Sequence, residues 1–432
     1  MQTYSVRPIK KNSKFTVSVP GSKSITNRAL LIAALANGRT KLKGTLFSDD
    51  SRYFLSSLIS LGFEVNVDEE NKEVSVVGCG GDIVKKDAEI YVGSAGTAAR
   101  FLTCMCGLSD GTYVINASEQ MKRRPMKPLI ELLISIGAKV DFLGEEYHLP
   151  VRITGVKKVK QFDKLDVDLD ISSSTQFLSA LLLAGTMLDC DLNIHITSEK
   201  KYGSYIGITM DMMKEFGIVA EFDGETYHIG KGTRYNAIEY QIEPDVSAAC
   251  YFFGIAALTE SDVIVRNIRE DSTQGDIKFL KVLEDMGCAV KFINEGVRVI
   301  GPKDKLKGIN IDMNNFSDQT MTLAAIAVFS DSPTKITGIG HIRLQESDRL
   351  MAIVNELTKM GIKTEHGEDY IVIYPGTPNA CTVSTYEDHR MAMAFTLVGI
   401  VTGNIIIDNP LCCKKTFEEY FDIIDDICNR FN

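Results

Sequence analysis

The chain has 432 residues, which is enough for two or more domains with sizeable hydrophobic cores. Its hydrophobic share of 44% and charged share of 24% are those of a globular protein. The formal net charge of −10 argues against nucleic acid as a partner, and an anionic ligand would need a local basic pocket.

The N-terminal segment and the cysteines bear on the cellular compartment. The segment MQTYSVRPIKKNSKF has no apolar signal core, and the ten cysteines follow neither a disulfide framework nor a zinc-ligand spacing. We therefore expect reduced thiols, a cytoplasmic location and no metal site. The longest apolar stretch, MAMAFTLVGIVTGNIII, is interrupted by Thr, Gly and Asn, so it predicts a buried helix followed by a strand rather than a membrane span.

One block recurs five times along the chain: an amphipathic helical segment, a glycine, a strand, a turn and another strand. The glycines stand where each helix should end, and they predict a left-handed backbone there. They are Gly62, Gly137, Gly217, Gly287 and Gly361. A sixth amphipathic helix is predicted in the C-terminal segment TFEEYFDIIDDICNRF.

Six segments of small apolar residues alternate with these blocks and predict helices that are buried on all sides. They are ALLIAALANG, ARFLTCMCG, QFLSALLLAG, ACYFFGIAAL, MTLAAIAVF and MAMAFTLVGIV. Six units of about 70–75 residues predict an α/β repeat architecture with three units in each of two domains. We place one crossover near residues 240–245, and a second near residues 19–21 if the N-terminal strand belongs to the far domain. The expected domains are then residues 1–20 with 244–432, and residues 21–243.

Polar clusters stand just ahead of the buried helices: GSKSITNR, GSAGTAAR, SSSTQF, PDVSAA, FSDQT and YEDHR. Ordinary N-caps are the alternative interpretation of any single cluster, since Ser, Thr and Asp are preferred there. Several basic residues lie in or beside these clusters, namely Lys23, Arg28, Arg100, Arg390 and Arg124, which we expect to open a further helix just ahead of Pro125. A cation at a helix start opposes the helix dipole, so the clusters together favour a multiply anionic ligand bound at helix N-termini.

Carboxylates are available for proton transfer in the same regions. Asp318 precedes a buried helix, and Glu346 lies in RLQESDRL ahead of Arg349. Together with Lys23 they could supply the acids and bases of a shared cleft. The alternatives are an N-cap role for Asp318 and a surface ion pair with Arg349 for Glu346.

Two further groups of polar residues are given other interpretations. Asp49, Asp50 and Arg52 in SDDSRYFL are interpreted as caps and local ion pairs. His389 stands between Asp388 and Arg390 ahead of a buried helix, where it would orient the arginine or touch a ligand.

Eight motifs, taken in order, resemble those of the 5-enolpyruvylshikimate-3-phosphate (EPSP) synthase family over the whole chain. They are PGSKSITNRAL, GSAGTAARFL, KRRPMKPL, STQFLSALL, SDQTMTLAA, ESDRL, EDHRMAMAF and KKTFEEYF. The resemblance implies an α/β fold of two inverse α/β domains, each of three repeats, with buried helix N-termini facing an interdomain cleft. It also implies transfer of the enolpyruvyl group of phosphoenolpyruvate to shikimate 3-phosphate, with release of phosphate and without a cofactor.

The same resemblance implies roles for individual residues. Asp318 would accept the proton of the 5-hydroxyl, and Glu346 would protonate the methylene carbon with help from Lys23. The residues implied for shikimate 3-phosphate are Lys23, Ser24, Arg28, Ser174, Thr175, Gln176, Ser198, Tyr205, Asp318, His341 and Gln345. The residues implied for phosphoenolpyruvate are Lys23, Gly96, Arg124, Gln176, Arg349, Arg390 and Lys415.

Three positions depart from the family pattern. Gln345 stands where the family usually has Lys, which removes one cation, and His341 stands where Asn is common. The segment SEKKYGSYIG is longer than the usual Ser-x-Pro-Tyr pattern, so either Ser198 or Ser204 could reach the 3-phosphate.

The sequence bears on three other functions. A UDP-N-acetylglucosamine enolpyruvyl transferase would share the fold but typically uses a loop cysteine, and NASEQMKRRP holds none. A non-catalytic homologue that still binds anions is favoured by Gln345 alone. A P-loop phosphotransferase is excluded because its glycine spacing is missing. We expect a monomer with small-molecule substrates and no membrane partner. We also expect inhibition by glyphosate, since Gly96 and Ala98 leave the phosphoenolpyruvate pocket unblocked.

Overall fold

The computed structural model describes residues 2–158 and 160–431, and Lys158 by its backbone alone. These residues form two compact units. The outer unit comprises the residues up to Pro20 and those from Glu243 onward, and the inner unit is Gly21–Ile242. The junction between Ile242 and Glu243 lies one residue before the expected one.

The helices of the described chain follow the predicted alternation of buried and amphipathic segments. They are α1 (Lys23–Leu35), α2 (Asp49–Ser60), α3 (Gly96–Gly107), α4 (Glu119–Lys122), α5 (Lys127–Ile136), α6 (Gln176–Gly185), α7 (Ser204–Glu215), α8 (Val246–Thr259), α9 (Phe279–Asp285), α10 (Thr320–Ala327), α11 (Arg349–Lys359), α12 (His389–Thr402) and α13 (Tyr420–Phe431). The six small-residue segments form α1, α3, α6, α8, α10 and α12, and the amphipathic segments form α2, α5, α7, α9, α11 and α13.

The strands are short and all belong to small sheets. They are β1 (Tyr4–Ser5), β2 (Lys14–Val17), β3 (Asn37–Lys43), β4 (Glu64–Asp68), β5 (Glu73–Cys79), β6 (Asp87–Tyr91), β7 (Thr112–Asn116), β8 (Lys139–Phe142), β9 (Val151–Thr154), β10 (Lys164–Leu169), β11 (Asp191–Ile196), β12 (Glu221–Phe222), β13 (Thr226–Ile229), β14 (Glu239–Gln241), β15 (Asp262–Arg266), β16 (Ala289–Ile293), β17 (Gly296–Ile300), β18 (Asn310–Asp312), β19 (Thr334–Thr337), β20 (Thr364–His366), β21 (Tyr370–Ile373), β22 (Cys381–Val383) and β23 (Ile405–Ile407).

The sheets repeat one topology. In the inner unit their strand orders are β14-β3-β5-β4, β6-β7-β9-β8 and β10-β11-β13-β12. In the outer unit they are β16-β17-β15-β2, β18-β19-β21-β20 and β1-β23-β22. Each sheet has one parallel pair and otherwise antiparallel pairs. The sixfold repetition predicted from the sequence is therefore present in the fold.

The chain passes between the two units at two places. Strand β2 pairs in parallel with β15, so the N-terminal strand belongs to the outer unit. Strand β14 pairs in parallel with β3 and completes the first sheet of the inner unit. The backbone N–H of Asp245 donates to the carbonyl of Pro20 at 2.8 Å, so the two segments that leave the outer unit run side by side.

The helix ends and the buried helices behave as their sequences predict. The five repeat glycines have φ between 75° and 116°, the left-handed region that glycine enters with little steric cost. The apolar stretch in the C-terminal part forms α12 and β23. Among the described residues, no helix has both the length and the hydropathy of a membrane span. Polar and charged side chains at the starts of the buried helices are themselves buried, including Arg28, Arg100 and Arg390.

Candidate active site

In the inner unit, Lys23 is the first residue of α1 and its side chain is 16% exposed. Its Nζ lies 3.5 Å from Oδ2 of Asp50, a side chain that is 2% exposed. Asp50 does not cap α2, because Ser48 and Ser51 form the capping box of that helix. The interpretation of Asp50 as a cap or a local ion pair is therefore wrong: it is a buried counter-ion of Lys23, which lies on another helix.

Arg28 lies one turn further along α1 and is buried. It donates hydrogen bonds to Thr209 Oγ1 (2.8 Å), Ser24 O (2.9 Å), Tyr205 O (3.0 Å) and Ser179 Oγ (3.3 Å). Burial lowers the pKa of Arg28 to about 10, so the side chain is still charged at neutral pH. Through these bonds Arg28 fixes the start of α1, with Lys23 and Ser24, against α6 and α7.

A second group of inner-unit residues surrounds the start of α3. Arg100 Nη1 donates to Gln176 Oε1 at 2.6 Å, and its Nη2 donates to Pro125 O at 3.3 Å. A Cβ added to Gly96 would lie 2.6 Å from Arg124 Nη1, so the helix start and this arginine are in close approach. Gly96, Arg124 and Gln176 are thus brought together around Arg100. Arg124 does not open a helix as expected, because it lies in the turn between α4 and α5.

The loops ahead of α6 and α7 carry the remaining inner-unit candidates. Thr175 is the N-cap residue of α6, and Ser174 Oγ accepts from the backbone N–H of Gln176 at 3.3 Å. Ser198 Oγ donates to the Lys200 carbonyl at 3.0 Å. Ser204 and Tyr205 are the first two residues of α7, whose N-cap Gly203 lies next to Thr175.

In the outer unit, Arg349 is the first residue of α11 and its side chain is 1% exposed. Its N–H groups donate to Asp388 Oδ2 (2.8 Å) and Oδ1 (3.3 Å), Asp318 Oδ1 (3.0 Å), Glu346 Oε2 (2.9 Å) and Gln345 Oε1. A guanidinium has five N–H donors, and these five acceptors match that number. Burial alone would lower the pKa of Arg349, but Asp388, Glu346 and Asp318 outweigh it and raise the pKa above its ordinary value.

Asp318 and Glu346 each bridge two cations. Asp318 Oδ2 also lies 2.8 Å from Arg390 Nη2, and Glu346 Oε1 lies 3.5 Å from Lys415 Nζ. The side chains of both carboxylates are at most 13% exposed. Gln319 rather than Asp318 is the N-cap residue of α10. Glu346 does pair with Arg349, as the alternative expected, but its side chain is only 10% exposed and so is not a surface charge. The starts of α10, α11 and α12 therefore converge on one charged network.

Asp388 connects the start of α12 to this network. It accepts from the backbone N–H of Arg390 at 3.0 Å and from Ser347 Oγ at 3.1 Å, in addition to Arg349. The two residues before it, Tyr386 and Glu387, have φ of 55° and 56°, an uncommon conformation for residues other than glycine. The backbone conformation of this turn therefore directs the Asp388 side chain towards Arg349.

Two of the three departures from the family pattern adjoin the carboxylates. His341 lies in the 3₁₀ turn Gly340–Leu344, and its Nε2 is 2.7 Å from Ser317 Oγ, next to Asp318. Gln345 follows that turn and accepts from Arg349. The network thus uses the amide oxygen of Gln345 where a lysine could only have donated.

One buried acid was not anticipated from the sequence. Asp276 lies in the 3₁₀ turn Gly275–Lys278 and accepts hydrogen bonds from Gln319 Nε2 (2.9 Å) and from Ser247 Oγ. Burial and the charge of Asp318 raise its pKa to about 6. Among the residues that the structure describes, no group of three or more His, Cys, Asp or Glu side chains is arranged to hold a metal ion.

Comparison with known proteins gives this geometry its context. Residues 8–424 match a family model described as EPSP synthase (3-phosphoshikimate 1-carboxyvinyltransferase). A curated relative from Trichormus variabilis, named 3-phosphoshikimate 1-carboxyvinyltransferase, is 42% identical over 422 residues and is aligned over 98% of both chains. This chain belongs to the EPSP synthase family.

Other members of the EPSP synthase family agree with this result. A relative of the same name from a Sulfurovum species is 40% identical over 99% of both chains. The solved EPSP synthase of Acinetobacter baumannii superimposes with a TM-score of 0.81 and 26% identity, covering 100% of this chain and 98% of that one. The enolpyruvyl transferase NikO from Streptomyces tendae has a TM-score of 0.74 at 13% identity, which bears on the fold alone. The family resemblance and the α/β fold predicted from the sequence are confirmed.

Proposed function

We propose that this chain transfers the enolpyruvyl group of phosphoenolpyruvate to the 5-hydroxyl of shikimate 3-phosphate and releases phosphate. Whole-length relatives named for this reaction support the proposal. The observation that carries it is the pair of largely buried carboxylates, Asp318 and Glu346, each held between two cations.

The outer-unit cations suit phosphoenolpyruvate, which carries a carboxylate and a phosphate. Arg349, Arg390 and Lys415 lie within one network and would bind these groups by charge-assisted hydrogen bonds. Because the five donors of Arg349 already have acceptors in the protein, a ligand anion would have to replace at least one of them. Arg124 and Gly96 of the inner unit would complete this subsite.

The inner-unit groups suit shikimate 3-phosphate. The hydroxyls of Ser174 and Thr175 stand at the start of α6, where backbone N–H groups and the helix dipole favour a phosphate. Gln176 and Tyr205 would contact the ring side, as would Ser24 and Arg28 on α1. Ser198 or Ser204 would add a hydroxyl to the 3-phosphate, and His341 and Gln345 would approach the substrate from the outer unit.

The proposed chemistry needs one base and one acid. Asp318 accepts the proton of the 5-hydroxyl as that oxygen bonds to C2 of phosphoenolpyruvate, while Glu346, assisted by Lys23, delivers a proton to C3. The product of this addition is a tetrahedral intermediate with a methyl group. Cleavage of the bond between C2 and the phosphate oxygen releases phosphate, and loss of a methyl proton forms the enol ether. We further propose that the enzyme acts as a cytoplasmic monomer without a cofactor.

Phosphate release tests this function directly. Purified protein is incubated with phosphoenolpyruvate and shikimate 3-phosphate, and each substrate is omitted in turn. We expect release that requires both substrates and disappears in Lys23→Met. The matched control is Lys41→Met, which removes a half-exposed lysine paired with Glu73 in the same unit and should retain activity. Binding of both substrates without phosphate release would contradict the proposal.

A further inference from the structure

Asp276 is a buried carboxylate to which the proposed mechanism assigns no role. The residue is 4% exposed and lies ahead of α9, in a turn that packs against α8. Its Oδ2 accepts from two side chains, Gln319 Nε2 at 2.9 Å and Ser247 Oγ. A buried carboxylate is expensive unless such bonds compensate its lost hydration, so its presence calls for an explanation.

The bond from Gln319 ties Asp276 to the turn that carries Asp318. Gln319 directly follows Asp318 in the 3₁₀ turn Ser317–Gln319. The other end of the Gln319 amide, Oε1, accepts from Thr322 Oγ1 at 2.9 Å. The Gln319 amide therefore donates to Asp276 and accepts from Thr322 on α10. These two bonds hold Gln319, and with it the turn that carries Asp318, in one position.

The bond from Ser247 ties Asp276 to the cation of Asp318. Because Ser247 Oγ donates its hydrogen to Asp276, its lone pairs can accept a hydrogen bond from another donor. Arg390 Nη2 lies 3.4 Å from that oxygen and 2.8 Å from Asp318 Oδ2. One buried carboxylate is thus connected, by two separate side chains, to both members of the Asp318–Arg390 pair.

The charges around Asp276 come from several elements. Asp318, from the turn before α10, disfavours ionisation of Asp276, whereas Arg390 on α12 favours it. On α8, Cys250 approaches the Asp276 backbone, and burial raises the pKa of its thiol so that it stays neutral; Asp245 caps the same helix. Repulsion between two carboxylates is mutual, so the ionisations of Asp276 and Asp318 are coupled.

We propose that Asp276 is a positioning residue for the transfer reaction. It holds Asp318 and Arg390 in place through Gln319 and Ser247, and its carboxylate belongs to the same charged network as Asp318. This inference rests on the proposed function, because it presumes that Asp318 accepts the proton.

The test compares wild type, Asp276→Asn and Asp262→Asn. Asp262 is the first residue of β15 and pairs with Arg298 on the neighbouring strand β17, so its variant removes one carboxylate of the same unit away from the network. For Asp276→Asn we expect kcat to fall by about tenfold or more. We also expect the acid limb of the kcat profile to move to lower pH by about one unit. Asp262→Asn should leave both unchanged.

A second variant separates the connection through Ser247 from the connection through Gln319. Ser247→Ala retains the carboxylate of Asp276 but removes its link to Arg390, and alanine suits the helix start sterically. We expect KM for phosphoenolpyruvate to rise severalfold while the acid limb stays where it is in wild type.

A merely structural role for Asp276 gives a different result. Asp276→Asn would then lower the melting temperature, and kcat would fall equally at every pH with the acid limb unmoved. That outcome, or a kcat profile equal to that of Asp262→Asn, would overturn the proposal.

Calorimetry separates failure of this inference from failure of the proposed function. If wild type releases no phosphate, the function fails. Weaker phosphoenolpyruvate binding to Asp276→Asn than to Asp262→Asn would still support the placement of Arg390 by Asp276. Equal binding by the two variants would overturn it.

Discussion

Arg349 and Asp388 meet side by side at the starts of two helices, with Nε–Oδ2 and Nη2–Oδ1 distances of 2.8 and 3.3 Å. Asp388 is fully buried and also caps α12. Asp388→Ala would leave a buried guanidinium short of its closest partner. We expect the free energy of unfolding to fall by about 3 kcal/mol, as measured by urea denaturation. Asp348→Ala removes the more exposed cap of α11 and should cost about 1 kcal/mol. Equal losses in the two variants would contradict this role of Asp388.

The buried ion pair between Lys23 and Asp50 predicts energetic coupling between them. Asp50→Asn removes the charge that holds the ammonium, so we expect kcat/KM to fall about tenfold. In Lys23→Met the same substitution should have little further effect, because the partner is already gone. Asp49→Asn, at the exposed neighbouring position of α2, serves as the control. Strictly additive losses in this double-mutant cycle would show that the two side chains do not act together.

Gly96 lies in the proposed phosphoenolpyruvate subsite, and its close contacts predict how that subsite responds to one added methyl group. A Cβ at this position would lie 2.6 Å from Arg124 Nη1 and 2.9 Å from Arg100 Nη1, so both arginines must shift. We expect Gly96→Ala to raise KM for phosphoenolpyruvate and to weaken inhibition by glyphosate in steady-state assays. Gly230→Ala adds the same methyl group to open space and should change neither. Wild-type enzyme that resists millimolar glyphosate would refute the expected sensitivity.

Gln345 predicts the effect of a missing cation. Gln345→Lys restores the residue that the family usually has and adds a positive charge next to the proposed substrate site, although it also removes the acceptor that Gln345 offers to Arg349. We expect the KM values for both substrates to fall by about threefold at low ionic strength, and the gain to shrink with added salt because exposed charges are screened. Gln345→Leu, which adds no charge, is the control. A salt-independent change would mean that shape rather than charge is decisive.

Asp276 also predicts a pH dependence of stability. Its pKa is raised from 3.8 to about 6 in the folded chain, so the folded state binds this proton more tightly than the unfolded state does. The resulting stabilisation is fully present below pH 3.8 and is lost as the pH rises through about 6. The free energy of unfolding of wild type should therefore fall relative to Asp276→Asn between pH 4 and pH 7 in denaturant titrations. A constant difference across this range would contradict the raised pKa.

The repeated architecture could be predicted because its signals are local. A glycine such as Gly62 or Gly361 marks its helix end by its own conformational freedom, and the small-residue run of α12 marks a buried helix by composition. The polar starts of the buried helices were visible for the same reason. Their clustering within each unit follows from the sheet topology, which repeats and therefore places equivalent helix ends alike.

The partners of the site residues could not be predicted from local pattern. The sequence around Asp50 predicts only a residue at a helix start. Its contact with Lys23 arises from the packing of α2 against α1. Asp276 and Asp318 are far apart in sequence, and neither motif indicates that a glutamine and a serine join them. The roles of these side chains in the reaction stay predictions until the variants are measured.

The pairing of β2 with β15 has a consequence for synthesis of the chain. Residues 21–242 emerge from the ribosome as one uninterrupted segment that holds every strand of its three sheets. Strand β2 is made before all of them, yet its partner β15 emerges only after they are complete. During translation the inner unit can thus fold first. Strand β2, which precedes that unit on the chain, stays without its partner strand until β15 has been made.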